Sequence, residues 1–127
     1  MNFVLVDSSV WVAHFRKSNR VLQSLLAADQ VLCHPLIVIE IACGTPPAPR
    51  DRTLNNLRQL RSSAIATIDE TLALIERKRL QDTGCGAVDI SLLAAVLLTF
   101  NACLWTLDKS LESLAEQLSV AWIGDGS

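Results

Sequence analysis

Apolar and polar positions fall into blocks along this chain that read as strands and helices in turn. Phe3-Val4-Leu5-Val6 is an unbroken apolar run that stops on Asp7. A run that is apolar on both faces belongs inside a parallel sheet, which predicts a central strand with Asp7 at its carboxyl end. Ser8 to about Lys17 has helical spacing, with Val10, Val12 and Ala13 joined by Trp11 and Phe15 on a broad apolar face. A polar break from Arg16 to Arg20 precedes a second helical piece, Val21 to Leu26, and then a short strand, Gln30 to Cys33. Pro35 suits the first turn of a helix, where its missing N–H costs nothing. That helix runs from Leu36 to Cys43 and stops at Gly44.

Thr45 to Pro49 holds three of the four prolines and reads as a loop. Arg50 to Arg61 predicts a helix with Leu54, Leu57 and Leu60 inside and four arginines outside. Ile65 to Ile68 reads either as a strand or as a bare connection. Asp69 is placed as the cap of a long helix through Leu72, Leu74, Ile75 and Leu80, ended by Gly84-Cys85-Gly86. The helix from Asp89 to Leu98 is apolar nearly all round, the pattern of a buried helix. Ala102 to Thr106 predicts another central strand, and Asp108 repeats just past it the strand-then-carboxylate order of Asp7. A last amphipathic helix on Leu111, Leu114 and Leu118 leads to a final strand, Val120 to Ile123, and a frayed end, Gly124 to Ser127. Strands alternating with helices imply an α/β fold on a parallel sheet. At 127 residues, with no repeat or linker, residues 1–127 are expected to form a single domain.

Half of the residues are hydrophobic, which predicts that part of the apolar excess is covered by a partner or a second copy. No apolar run approaches the roughly 18 residues of a membrane span. No basic segment precedes a signal-like core, so the expected location is cytoplasmic. The four cysteines form no C-x-x-C pair and read as buried, reduced thiols rather than a disulfide framework. His14 and His34 have no triad context and read as surface or partly buried. The formal net charge of −2 does not decide between substrates. Setting aside Asp7, Glu40, Asp89 and Asp108 leaves nine acids against eleven basic residues, a slightly positive surface around an acidic site.

Those four acids are the candidate chemistry. Asp7, Asp89 and Asp108 stand at predicted helix starts, where Asp is a favoured N-cap, so each has a plain structural explanation. Yet Asp7 and Asp108 close interior strands, and the carboxyl edge of an open α/β sheet is where ligands collect. Glu40 is the one charge in its apolar helix, and either lies on a narrow exposed stripe or turns into a polar site. Converging carboxylates repel until cations arrive, and an all-oxygen donor set favours Mg²⁺ or Mn²⁺ over zinc. Such ions support in-line hydrolysis of a phosphodiester. Ser8, Ser9 and Thr106 are placed to orient the carboxylates. The arginine-bearing helices read as solvated faces, or as phosphate contacts if the substrate is RNA.

Val6-Asp7-Ser8-Ser9, the helical Glu40, Gly84-x-Gly86-x-Val88-Asp89 running into Leu92-Leu93-Ala94-Ala95, and Leu104-Trp105-Thr106-Leu107-Asp108 resemble the PIN-domain nucleases, most of all the VapC-type toxins of bacterial toxin–antitoxin pairs. The likeness covers nearly the whole chain but leaves out Thr45 to Arg61. It implies a three-layer α/β/α sandwich with a central parallel sheet, usually dimeric, and an Mg²⁺- or Mn²⁺-dependent endoribonuclease. It also implies a cognate antitoxin whose C-terminal segment occupies the groove near the acids. Asp7, Glu40, Asp89 and Asp108 carry over as the acidic set, with Asp108 the least constant, and Ser9 and Thr106 as supporting hydroxyls. The rival readings are a PIN-fold binding module without catalysis and a DNA-directed nuclease using the same site.

Overall fold

The computed structural model describes residues 3–124. Its centre is a four-stranded, all-parallel sheet of strand order β3-β2-β1-β4, with β1 at Phe3–Val6, β2 at Val31–Cys33, β3 at Arg61–Ser62 and β4 at Ala102–Trp105. Seven helices flank it among the described residues: α1 (Ser8–Arg16), α2 (Arg20–Ala27), α3 (Pro35–Ala42), α4 (Arg50–Arg58), α5 (Ile68–Lys78), α6 (Ala87–Leu98) and α7 (Lys109–Gln117). The result is the expected α/β sandwich. β1 is central because both its faces are apolar. It pairs with β2 through Val4–Val31 and Leu5–Leu32, and with β4 in register from Phe3–Ala102 to Val6–Trp105. Leu5 and Val6 are wholly buried, and α6 adds Leu92, Leu93 and Ala95 to the same core. Helix α6 therefore has no polar face to turn outward over most of its length, as its composition predicts.

Several expectations need correction. The third strand is Arg61–Ser62, which leaves residues 65–67 as the bare connection of the two readings, and the helix before it ends at Arg58 rather than Arg61. Arg61 thus belongs to an edge strand, where it ion-pairs with Asp29 at 2.7 Å and lies over the Phe3 ring. Asp69 does not cap α5. Thr67 does, in a capping box: its hydroxyl accepts from the Glu70 N–H at 3.0 Å and Glu70 accepts from the Thr67 N–H at 2.8 Å. This is the S/T-x-x-E arrangement, in which two orphan donors are satisfied reciprocally. The expected final strand shrinks to one bridge, Leu104 with Ala121, held by hydrogen bonds from Leu104 N–H to Val120 and from Trp122 N–H to Leu104. Of the frayed end, Asp125 to Ser127 lie outside the described residues.

All four cysteines are free, and Cys33 and Cys103 are buried as expected, burial pushing each thiol up to about 11. Cys43 is exposed instead, because α3 ends beneath it. His34 is the other reversal. It is 4% exposed, and its Nδ1 accepts from the Leu36 N–H, capping α3. A buried imidazole in this role does the work of a Ser or Asn cap. Among the described residues, no helix is long and apolar enough to cross a membrane.

Candidate functional site

Parallel strands deliver their following residues to one edge of the sheet, and here β1 and β4 deliver Asp7 and Thr106 side by side. The Asp7 N–H extends the β1–β4 pairing by bonding Trp105 O at 2.9 Å, and its carbonyl accepts from Val10 and Trp11 to start α1. Asp7 is therefore the N-cap of α1 by position, but its side chain makes no cap bond. Its Oδ2 instead accepts from Ser9 Oγ at 2.7 Å and Thr106 Oγ1 at 2.8 Å. The chain beyond β4 feeds both hydroxyls: Leu107 N–H donates to Ser9 Oγ and Asp108 N–H to Thr106 Oγ1, each at 3.0 Å. Each hydroxyl thus spends its single proton on the carboxylate and takes a backbone proton in return. Asp7 is 5% exposed, and this network fixes one oxygen and leaves Oδ1 without a hydrogen bond from the described residues.

Glu40 lies on α3 and is exposed, with Oε1 accepting from Ser8 Oγ at 2.8 Å. Glu40 is thus solvent-exposed, as an exposed stripe on α3 would be, and its bond to Ser8 ties it to the residue that follows Asp7. Asp89 is not a helix cap. Gly86 caps α6, and Asp89 stands in the first turn, half-buried. Burial raises its carboxyl above the usual carboxylate range. Asp108, then Asp7, then Glu40 push the same way, and a hydrogen bond from Gly86 opposes them. Asp89 is therefore within electrostatic reach of each of the other three acids. Asp108 is exposed and does cap its helix, its Oδ1 accepting from the Leu111 N–H at 2.9 Å. Its plain structural role is real, and the second oxygen is left over.

Three of the four acids stand at helix N-termini, where partial positive charge favours a carboxylate. That arrangement lets three like charges share one edge of a folded chain. Cys85 lies close enough that burial, Asp89 and Asp108 all raise its thiol. Among the described residues, no three acidic, imidazole or thiol groups are gathered tightly enough to grip one ion by themselves. Sequence reasoning missed His34, which stands at the end of β2 beside this edge. The signal available was its place immediately before a helix-starting proline.

A PIN-domain family model matches residues 4–117, which takes in all of β1 but Phe3, all four acids and α7. The chain is a PIN-domain protein of the VapC type. It is 42% identical over 118 residues to Ribonuclease VapC32 of Mycobacterium tuberculosis (strain CDC 1551 / Oshkosh), spanning 93% of this chain and 94% of that one. Ribonuclease VapC32 of strain ATCC 25618 / H37Rv matches with the same identity and coverage. The match is thus nearly end to end for both chains.

Proposed function

We propose that this PIN-domain chain is a metal-dependent endoribonuclease, acting as the toxin of a toxin–antitoxin pair. The observation that carries the reading is the sheet edge where Asp7, clamped by Ser9 and Thr106, follows β1 beside β4 and Asp108, with Asp89 raised first by its burial and then by Asp108, Asp7 and Glu40. Near end-to-end likeness to a protein named Ribonuclease VapC32 supports RNA as the substrate class. In this reading Asp7, Glu40, Asp89 and Asp108 hold Mg²⁺ or Mn²⁺, and Ser9 and Thr106 position Asp7.

The donor set fits such an ion. Every candidate ligand is a hard oxygen, and Mg²⁺ keeps several waters while taking only one or two carboxylates, so a tight three-residue cage is not required. The chemistry a bound divalent ion supplies is activation of water and charge neutralisation on a phosphodiester. The chain's own part is orientation and charge. Ser9 and Thr106 clamp Asp7 Oδ2, which steadies the carboxylate and leaves Oδ1 to a ligand. Ser8 steadies Glu40, the longest and most exposed of the four. Asp89, its carboxyl raised by burial and then by the other acids, is one that a bound cation would favour in its charged form.

A cognate antitoxin, a homodimer and a cytoplasmic location complete the proposal. Exposed Ile68, Leu72, Leu98 and Phe100 on and after α5 and α6 support self-association, at 50% to 84% exposure. The test is incubation of the purified chain with RNA in Mg²⁺ or Mn²⁺, with and without a chelator. Cleavage that needs the ion is the expected result, and intact RNA in both ions would contradict it.

A further inference from the structure

A second feature of the same sheet edge has no part in the acid network. The register that pairs Leu5 with Leu32, carried two residues further, sets His34 beside Asp7. His34 is one wall of a cavity of about 380 Å³ between α3 and α4. That size is within the roughly 300–1,000 Å³ usual for ligand pockets. Val38 and Ile39 of α3 and Leu57 of α4 are among its apolar lining, and Arg58 and Ser62 line it too. His34 Nδ1 accepts from Leu36 N–H, so the proton of the neutral ring is on Nε2. Nε2 forms no hydrogen bond within the described residues, although the residue as a whole is only 4% exposed. Among the described residues Trp11 Nε1 is the one fully buried side-chain nitrogen or oxygen left without a partner, so Nε2 reaches the open cavity and can donate to a group bound there.

Arg58 is also uncommitted. Of the arginines on and just after α4, Arg50 donates to the carbonyls of Ala42 and Gly44, and Arg61 is paired with Asp29. Arg52 and Arg58 form no hydrogen bond or ion pair among the described residues, where Arg61–Asp29 is the one salt bridge, and of the two Arg58 lines the cavity. An apolar peptide side chain would fill the walls but leave both the imidazole N–H and the guanidinium unanswered. A nucleotide answers all three. Its base has two apolar faces and ring acceptors, and its phosphate suits Arg58.

Resting on the ribonuclease reading above, we propose that this groove binds one unpaired nucleotide of the RNA next to the scissile bond, with His34 Nε2–H donating to the base and Arg58 meeting a phosphate. His34 is then a specificity-determining residue and Arg58 a positioning one. The test is chemical-shift mapping of Asp7→Asn protein, which spares the RNA, with short oligoribonucleotides of A, C, G or U. Shifts at the His34 ring, Val38 and Leu57 are expected, with a preference of about fivefold for one base, the worth of one net hydrogen bond. His34→Asn, which keeps an N-cap, should level that preference, and Arg58→Gln should weaken all four RNAs alike. Ile39→Trp, at a position 55% exposed, should fill the groove and abolish the shifts. RNA that leaves the groove signals unmoved, as when the occupant is a peptide, or shifts that survive Ile39→Trp, would overturn the proposal. Wild-type cleavage without groove shifts overturns the pocket alone. Groove shifts without wild-type cleavage overturn the ribonuclease reading and leave the pocket.

Discussion

Asp7 and Asp89 are both buried enough to feel their neighbours, yet the chain handles them differently. Asp7 is anchored by two hydroxyls, whereas Asp89 has one backbone hydrogen bond set against three like charges. Thr106→Val removes one anchor and keeps the shape. It is expected to lower kcat by about 10- to 100-fold, the usual effect of losing a supporting contact to a ligand. Unchanged kcat would show that Ser9 alone suffices. For Asp89 the sign is set by its raised carboxyl. As pH falls, the folded chain takes up this proton before the unfolded chain does. Metal-free stability therefore rises as pH drops through the raised folded value toward the ordinary one, and is lower above it. Asp89→Asn should raise the metal-free Tm at neutral pH and flatten that acid window, while shrinking the Tm gain that Mg²⁺ gives the wild type. A wild-type gain retained in full by Asp89→Asn would place the ion elsewhere. At this scale the site residues were legible in sequence as carboxylates following apolar runs. The anchoring was legible only as hydroxyls nearby. His34 was not, because nothing in a lone His before Pro distinguishes a buried cap from a surface ring.

Helix ends explain both the successes and the errors in reading elements. Helices that begin on a strong local signal, such as Pro35 or the run after Asp7, fall where the pattern puts them. Asp69 misled because two good caps compete within three residues, and Thr67 wins by making the reciprocal bond with Glu70. Thr67→Ala should cost about 1 kcal/mol of stability, typical for loss of an N-cap, without changing cleavage. A matched loss of activity would tie α5 to the site. The β3 strand was misplaced because Arg61–Ser62 is short, exposed and polar, so its identity comes from pairing with β2 rather than from its own pattern. Glu40 differs from the other acids at this scale too. It lies near the end of α3, where the helix dipole disfavours a carboxylate, and Ser8 is its hydrogen-bond partner.

Across the whole molecule, the parallel sheet gathers residues as distant in sequence as Asp7 and Thr106 at one edge. The alternation of apolar runs made that much of the fold legible. What the sequence pattern does not fix is the outer surface, where Ile68, Leu72 and Phe100 remain uncovered. Sedimentation is expected to find a dimer at micromolar concentration, and a monomer throughout would contradict the proposed self-association. The central claim is that four acids at this edge make a metal-dependent ribonuclease. Its most direct measurement is RNA cleavage in Mn²⁺ by wild-type and Asp7→Asn protein, with circular dichroism to show that both are folded. Metal-dependent cutting by the wild type alone, at least about 100-fold above the variant, is the predicted result. Equal cutting by folded Asp7→Asn would contradict it.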